Sequence, residues 1–288
     1  MGDYNNNSLT LEEFKLEWLR YDENGNFLNP RIVMIAPSGS GKSWVVKNVL
    51  HTLRDIPCGS VIAPTDKMTK FYDDFIPPVF INHDYKPTII PKILNRQKII
   101  IDKNKKREEE NKKPIDPRTF LVMDDCMSSA KDWSKDQCIS EIMFQGRHYQ
   151  LTYILTMQYC LGITPDLRTQ FNYVFLLGED NAASRKKLHL HWAGVFPTLE
   201  LFESVFSQVT ENYGCMVINN RIKSTDLTKK VFWFRAKEPP EFKLGSQKLL
   251  EFNEENYDKD HENKKPTSFN SLSFGSKKKT NIRVKLLS

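Results

Sequence analysis

The sequence predicts an α/β fold in which a mainly parallel sheet is sandwiched by helices. Short apolar runs have the length of buried strands, at residues 32–35, 59–64, 118–124, 151–158 and 172–178. Segments with helical apolar spacing separate them, at residues 42–53, 88–113, 135–146, 181–192 and 198–210. Strands that alternate with helices in this way favour a parallel sheet with right-handed crossovers.

The two ends of the chain are predicted to differ from this core. Residues 1–30 read as a polar lead-in that contains one short helix, over residues 9–19. Residues 31–236 form the α/β domain, which includes a candidate strand at 79–81 and closes with a hairpin at 214–218 and 231–235. Residues 237–288 are polar and poor in apolar residues, so we expect them to be a disordered tail.

Composition and charge limit the kinds of site and the partners that this chain is expected to have. The five cysteines are scattered without a metal-type spacing, which argues against a disulfide framework or a zinc site. No apolar run approaches the roughly 20 residues that span a bilayer. The net charge is +6, but seven of the 42 basic residues lie from Lys264 onward and the rest is near neutral. The basic tail is therefore either a nucleic-acid arm or a solvated end.

The first strand runs into a loop of small residues and then into a helix. Backbone N–H groups of such a loop, together with the positive helix end, can hold a polyphosphate. Lys42 would reach the β- and γ-phosphates and Ser43 would bind Mg²⁺. Ala36 replaces the first glycine of the usual motif, and we expect its small side chain to fit. The sequence thus predicts a P-loop for a nucleoside triphosphate such as ATP, formed by Pro37, Ser38, Gly39, Ser40, Gly41, Lys42 and Ser43.

Polar side chains follow two later strands at the same end of the predicted sheet. Asp124 comes directly after an apolar strand, which is where a Walker B carboxylate holds Mg²⁺. Asp125 follows it and is a candidate base for the attacking water. Gln158 ends the next strand, and its amide could contact the γ-phosphate or the water. A further strand that ends in such a polar sensor is typical of the additional-strand class of NTPases.

Two arginines are candidates for a cation on the γ-phosphate. Hydrolysis by P-loop enzymes is greatly accelerated by an arginine finger, which a neighbouring subunit can supply. Arg147 follows the helix that ends at Gly146, and Arg168 lies between two predicted strands. Each of them is equally well explained as a surface or capping residue.

In their order, these motifs resemble the genome-packaging ATPases of large DNA viruses and virophages, the poxvirus-type group of the FtsK–HerA superfamily. The matching stretches are residues 36–43, 120–125, 144–149, 154–158, 166–168, 173–177 and 231–236. The resemblance implies a ring of subunits, hexameric or pentameric, that pumps double-stranded DNA into a preformed capsid. It also implies that Arg147 or Arg168 completes the neighbour's site, that capsid or portal vertex proteins are partners, and that the protein works in the host cytoplasm, in virus factories, or with the virion.

Three other functions stay open at this point. A nucleoside or nucleotide kinase would share the P-loop, although the aspartate pair and the Gln158 strand argue against it. A DNA helicase of the same superfamily would share the whole core. A nucleotide-dependent assembly factor would bind ATP without pumping, and the complete set of catalytic residues argues against that. Residues 103–113 and 128–135 are candidate DNA-contacting segments.

Overall fold

Eight strands form one sheet in the part of the chain that the structure describes. The structure is a computed structural model and describes residues 9–258, except for the side chains of residues 128 and 132. The strands are β1 (Arg31–Ile35), β2 (Gly59–Ile62), β3 (Ile81–Asn82), β4 (Thr119–Met123), β5 (Leu151–Met157), β6 (Tyr173–Leu177), β7 (Gly214–Asn219) and β8 (Val231–Arg235).

The strand order is β3-β2-β4-β5-β1-β6-β7-β8. All neighbours are parallel as far as β6, whereas β7 and β8 run antiparallel and form the predicted hairpin. Strand β5 lies between β1 and β4, with Val33 opposite Leu155 and Leu121 opposite Tyr153. This inserted strand defines the additional-strand arrangement, so the predicted fold class is confirmed.

Helices cover both faces of the sheet. They are α1 (Lys42–Thr52), α2 (Asp66–Thr69), α3 (Ile89–Glu109), α4 (Ala130–Trp133), α5 (Gln137–Gln145), α6 (Pro165–Arg168), α7 (Ala182–Trp192), α8 (Leu199–Val209), α9 (Leu227–Lys230) and α10 (Gln247–Asn256). Side chains of Asp136, Asn181 and Thr198 accept backbone N–H bonds at the starts of α5, α7 and α8. These caps satisfy donors that have no partner inside the helix.

The core has two halves because side chains alternate across the sheet. Val33 and Ile35 of β1 pack with the helices α3, α5, α7 and α8. Ile32 and Met34 of the same strand face the other half, where α1 packs through residues such as Val46. Because residues 32–35 of β1 are buried on both faces, they form an uninterrupted apolar run, and the carboxyl end of this strand carries the P-loop.

The helix predicted over residues 9–19 is wrong for most of its length. Only Leu16–Leu19 is helical, as one 3₁₀ turn. Ahead of it the chain pairs with β8, because the N–H of Phe14 donates to the carbonyl of Trp233 at 2.7 Å and the N–H of Trp233 donates to Glu12 at 3.1 Å. These bonds use the free edge of β8, and Phe14 is buried against the sheet. Pairing with the edge strand β8 is therefore favoured over the helix that the apolar spacing of this short segment predicts.

The predicted boundary at residue 236 lies too early. Leu244 is only 1% exposed, its N–H donates to the carbonyl of Phe75 at 2.9 Å, and α10 follows. The expectation of disorder is therefore wrong for residues 237–256, because a few apolar side chains anchor this polar stretch. The basic residues from Lys264 onward lie outside the described residues.

Two smaller points complete the fold. The candidate strand at 79–81 is mostly a 3₁₀ turn, Pro78–Phe80, followed by the short edge strand β3. Within residues 9–258, no helix combines the length and the apolar character that a membrane crossing needs.

Candidate active site

The P-loop is a tight turn at the carboxyl end of β1. Gly39 and Gly41 have φ values of +78° and +89°, a region that favours glycine. Ala36 directly follows β1 without a positive φ, and it is buried, so its methyl group is accommodated there. The missing first glycine of the motif therefore does not disturb the loop.

Lys42 is held inside this loop. Its ammonium donates to the carbonyl oxygens of Ala36 and Pro37, at 2.6 Å each, and the residue is 8% exposed. Burial lowers the pKa of Lys42, while the carboxylates of Asp125 and Asp124 act in the opposite direction. The cation is thus placed where a P-loop binds phosphate oxygens.

Asp124 is a buried carboxylate, 4% exposed, that three hydroxyl groups orient. Oδ2 accepts from Tyr72 at 2.8 Å and from Ser43 at 3.1 Å, and Oδ1 accepts from Thr156 at 2.5 Å. The pair of a serine hydroxyl and a carboxylate suits Mg²⁺, which prefers oxygen ligands. The described residues contain no cluster of three or more His, Cys, Asp or Glu that could hold a metal. Mg²⁺ bound with nucleotide phosphates does not require one, because it retains water and phosphate ligands.

A left-handed residue brings the second carboxylate into the same cleft. Strand alternation alone would place Asp125 on the face opposite Asp124. Asp125 has φ +53° instead, and its N–H donates to the Thr156 hydroxyl at 2.9 Å. The amide of Gln158 donates to Oδ1 of Asp125 at 2.6 Å. Asp125 and Gln158 are therefore linked directly, across neighbouring strand ends.

These residues line one cleft with a volume of about 660 Å³, a size usual for small-ligand sites. Lining it are Ser38, Gly39, Gly41, Lys42, Ser43, Trp44, Thr65, Thr69, Asp124, Asp125, Gln158, Tyr213, Ala236, Lys237 and Glu238. Pro37 and Ser40, which were also predicted to bind nucleotide, are not part of the lining. The hydroxyl of Ser40 donates to the Pro37 carbonyl at 2.9 Å, a hydrogen bond within the loop.

Neither candidate arginine lies in this cleft. Arg147 is exposed in the turn before β5, where the parallel strands have their amino ends. The P-loop lies at the carboxyl ends of these strands. Arg168 ends α6, and its Nε–H donates to the carbonyl of Ile163 at 3.0 Å. The structure therefore assembles Lys42, Ser43, Asp124, Asp125 and Gln158 within one chain and leaves both arginines apart.

Comparison with known proteins agrees with this geometry. The family model described as "Poxvirus A32 protein" matches residues 19–184, more than half of the chain. The chain belongs to this family. An uncharacterized protein of Acanthamoeba polyphaga mimivirus is 45% identical over 276 residues, which cover 94% of this chain and 96% of that protein. One of Invertebrate iridescent virus 6 is 31% identical over 247 residues, 81% of this chain and 92% of that protein.

A solved structure, the DNA-packaging ATPase from Sulfolobus turreted icosahedral virus, is 16% identical, with a TM-score of 0.47 over 73% of this chain and all of that chain. That likeness is too distant to carry an argument. The match to the family model and the residues of the cleft confirm the family predicted from the motifs. The protein is a P-loop ATPase.

Sequence reasoning missed several residues of the site, among them Thr156, Tyr72 and Tyr213. Thr156 had a weak signal, because it is a polar residue near the carboxyl end of the mainly apolar strand β5. Tyr72 had none, since it follows α2 in a stretch without periodicity and reaches Asp124 only through the fold. Tyr213 had none either, because it enters the cleft from the turn before β7, far along the chain from the P-loop.

Proposed function

We propose that this ATPase drives double-stranded DNA into a preformed viral capsid. The observation that carries the proposal is the direct contact between Gln158 at the end of β5 and Asp125 beside the Walker B carboxylate. A polar sensor on an inserted strand, coupled to the catalytic carboxylate, is the arrangement of NTPases that convert hydrolysis into movement. Membership of a poxvirus family, with relatives in a mimivirus and an iridescent virus, supports a viral role.

Each residue of the cleft has a part in hydrolysis. Lys42 and the N–H groups of the loop would bind the phosphates, and Ser43 and Asp124 would hold Mg²⁺. The metal would neutralise charge that develops on the β- and γ-phosphates. Asp125 would accept the proton of the attacking water, and Gln158 would hold Asp125 in place. Loss of the γ-phosphate would then change the position of Gln158, which links chemistry to β5.

The placement of Arg147 supports action across a subunit boundary. Its side chain has no hydrogen bond or ion pair within the described residues, and it lies at the edge of the sheet opposite its own P-loop. Burial, and after it the charges of Arg147 and Arg221, lower the pKa of Arg31, so both arginines act on Arg31. A basic edge of one subunit that faces the cleft of the next would join subunits head to tail into a ring. Arg168 is the second candidate finger.

Partners follow from the same proposal. The molecule that the motor would move is double-stranded DNA. A motor that fills a capsid must dock on capsid or portal proteins at one vertex. Such a motor would act where virions assemble, in the host cytoplasm. The segment of residues 128–135 begins three residues after Asp125, and the charged end of α3 is exposed, so both stay candidates for contact with DNA.

ATP hydrolysis with and without long double-stranded DNA tests the proposal. We expect DNA to stimulate the wild-type protein and Lys42→Ala to abolish turnover. Lys47→Ala is the matched control, because Lys47 lies on the same helix, outside the cleft, over the ring of Trp44. Turnover that responds to a nucleoside, with a phosphorylated product, would instead identify a kinase. Strand displacement by the protein would identify a helicase.

Mixing two inactive variants tests the arginine. Lys42→Ala keeps Arg147 but lacks a working P-loop. Arg147→Ala keeps the P-loop but lacks the candidate arginine finger. If Arg147 acts in the neighbour's site, mixed rings contain complete interfaces and the mixture recovers part of the turnover. A mixture that stays inactive would exclude this role for Arg147, and the same experiment with Arg168→Ala would then follow.

A further inference from the structure

The cleft extends well beyond the residues that handle phosphate. At one end lie Asp124, Asp125 and Gln158, and at the other lie Tyr213 and residues 236–238. These ends belong to different strands, because Asp125 follows β4 whereas Tyr213 precedes β7. Four strand spacings separate β4 from β7, about 19 Å at 4.8 Å each. A nucleotide whose γ-phosphate lies beside Asp125 would therefore point its base toward β7.

Tyr213 is a large aromatic side chain held in an unusual conformation. It has φ +60°, follows Asn212 with φ +51°, and is 73% exposed. Positive φ is uncommon outside glycine, and for a bulky residue it indicates a constraint. The ring lies beside the P-loop, since its Cδ1 is 3.7 Å from the point where a Cβ on Gly41 would lie.

The turn that carries Tyr213 is fixed on both sides. A Cβ on Gly214 would lie 2.1 Å from the carbonyl oxygen of Val209, so only glycine fits after the tyrosine. On the other side, Arg235 donates to the carbonyl of Glu211 at 3.1 Å, which ties the turn to the end of β8. The ring is therefore supported from the backbone, although its faces stay accessible.

A segment of chain borders the same end of the cleft. The side chain of Asn48 in α1 donates to the carbonyl of Lys237 at 2.8 Å and accepts from its N–H at 3.2 Å. Asn48 is buried, so this pair of bonds fixes residues 236–238 beside the P-loop helix. The border is thus built by tertiary contacts and does not depend on a bound ligand.

We propose that Tyr213 is the platform on which the base of the nucleoside triphosphate stacks, with residues 236–238 bordering the base. The inference rests on nucleotide binding at the P-loop, which is part of the function proposed above. An exposed aromatic face beside a phosphate loop suits a nucleobase, because every base offers a flat π-surface for stacking. Asn48 is a positioning residue in this site, since it acts through the backbone of Lys237.

Binding of two ligands by the full-length protein separates the base from the phosphates. Calorimetry would compare a non-hydrolysable ATP analogue with inorganic tripolyphosphate, which lacks a base. Tyr213→Asn removes the ring, and asparagine tolerates the positive φ at this position. We expect the analogue to bind about fivefold to thirtyfold more weakly, the lower part of the range for base stacking on an aromatic ring. Tripolyphosphate binding should be unchanged, and Tyr213→Phe should bind both ligands like the wild type.

Tyr159→Asn is the matched control, because Tyr159 is a 68% exposed tyrosine at the same edge of the sheet that does not line the cleft. It should bind both ligands normally. An unchanged affinity of Tyr213→Asn for the analogue, or an equal loss for both ligands, would overturn the stacking role. Lys42→Ala should weaken both ligands, and if it weakens neither, the nucleotide site itself is misplaced.

Discussion

Replacing Tyr72 with phenylalanine removes one hydroxyl from a buried polar contact of the site. Burial and the neighbouring Asp124 carboxylate raise the pKa of Tyr72 well above its usual value, so the phenol stays protonated and donates. Its 2.8 Å bond is one of three that orient Asp124. The substitution changes no other heavy atom, so its effect reports on this bond.

The expected magnitude follows from the contacts of Asp124. A hydrogen bond to a charged group contributes about 1.5–3 kcal/mol, which corresponds to roughly tenfold to a hundredfold in an equilibrium. Loss of a partner behind a metal ligand typically weakens metal binding by a similar factor. Asp124 retains the hydroxyls of Ser43 and Thr156, so we expect the lower value. The Mg²⁺ concentration for half-maximal ATP hydrolysis should rise by about tenfold.

The assay is a Mg²⁺ titration of hydrolysis at saturating ATP, with thermal unfolding measured in parallel. Tyr153→Phe is the matched control. Tyr153 is as buried as Tyr72, but its hydroxyl donates to the sulfur of Met123 at 3.3 Å and not to Asp124. The reasoning fails if Tyr72→Phe requires no more Mg²⁺ than the wild type, or if both variants shift equally.

Three further substitutions test other parts of the structure. Asp125→Asn keeps the left-handed backbone and an acceptor for the Gln158 amide but removes the proposed base. Turnover should therefore fall by about 10²–10⁴ while nucleotide binding persists. Near-normal turnover would show that another group accepts the proton. Leu244→Ala should destabilise the protein by about 2–4 kcal/mol in chemical denaturation, because this side chain is 1% exposed, and an unchanged midpoint would mean that the segment after β8 is not anchored. Gly59→Ala would place a Cβ 2.3 Å from the ring of the buried Phe120, so denaturation should show a loss of about 1–3 kcal/mol that the neighbouring Ser60→Ala does not.

The residues that the structure brings together beside the P-loop were predictable because they carry local signals. The glycines, Lys42 and Ser43 follow an apolar strand directly, and the aspartate pair and Gln158 end two later strands. Parallel strands carry their carboxyl ends to one edge, so the motifs meet without any knowledge of side-chain contacts. Asp125 shows the limit of this logic, since its place in the cleft depends on a left-handed turn that alternation does not predict.

The sequence alone thus determined the strand–helix alternation, the inserted sensor strand, the phosphate loop and the family. Only the tertiary structure decided that residues 12–14 pair with β8, that the ordered chain continues past residue 236, and that Tyr72 and Tyr213 join the site. The physical reason is the distance along the chain over which each effect acts. Periodicity and turn chemistry act over a few residues, whereas an unpaired sheet edge or a buried carboxylate selects partners from anywhere in the chain.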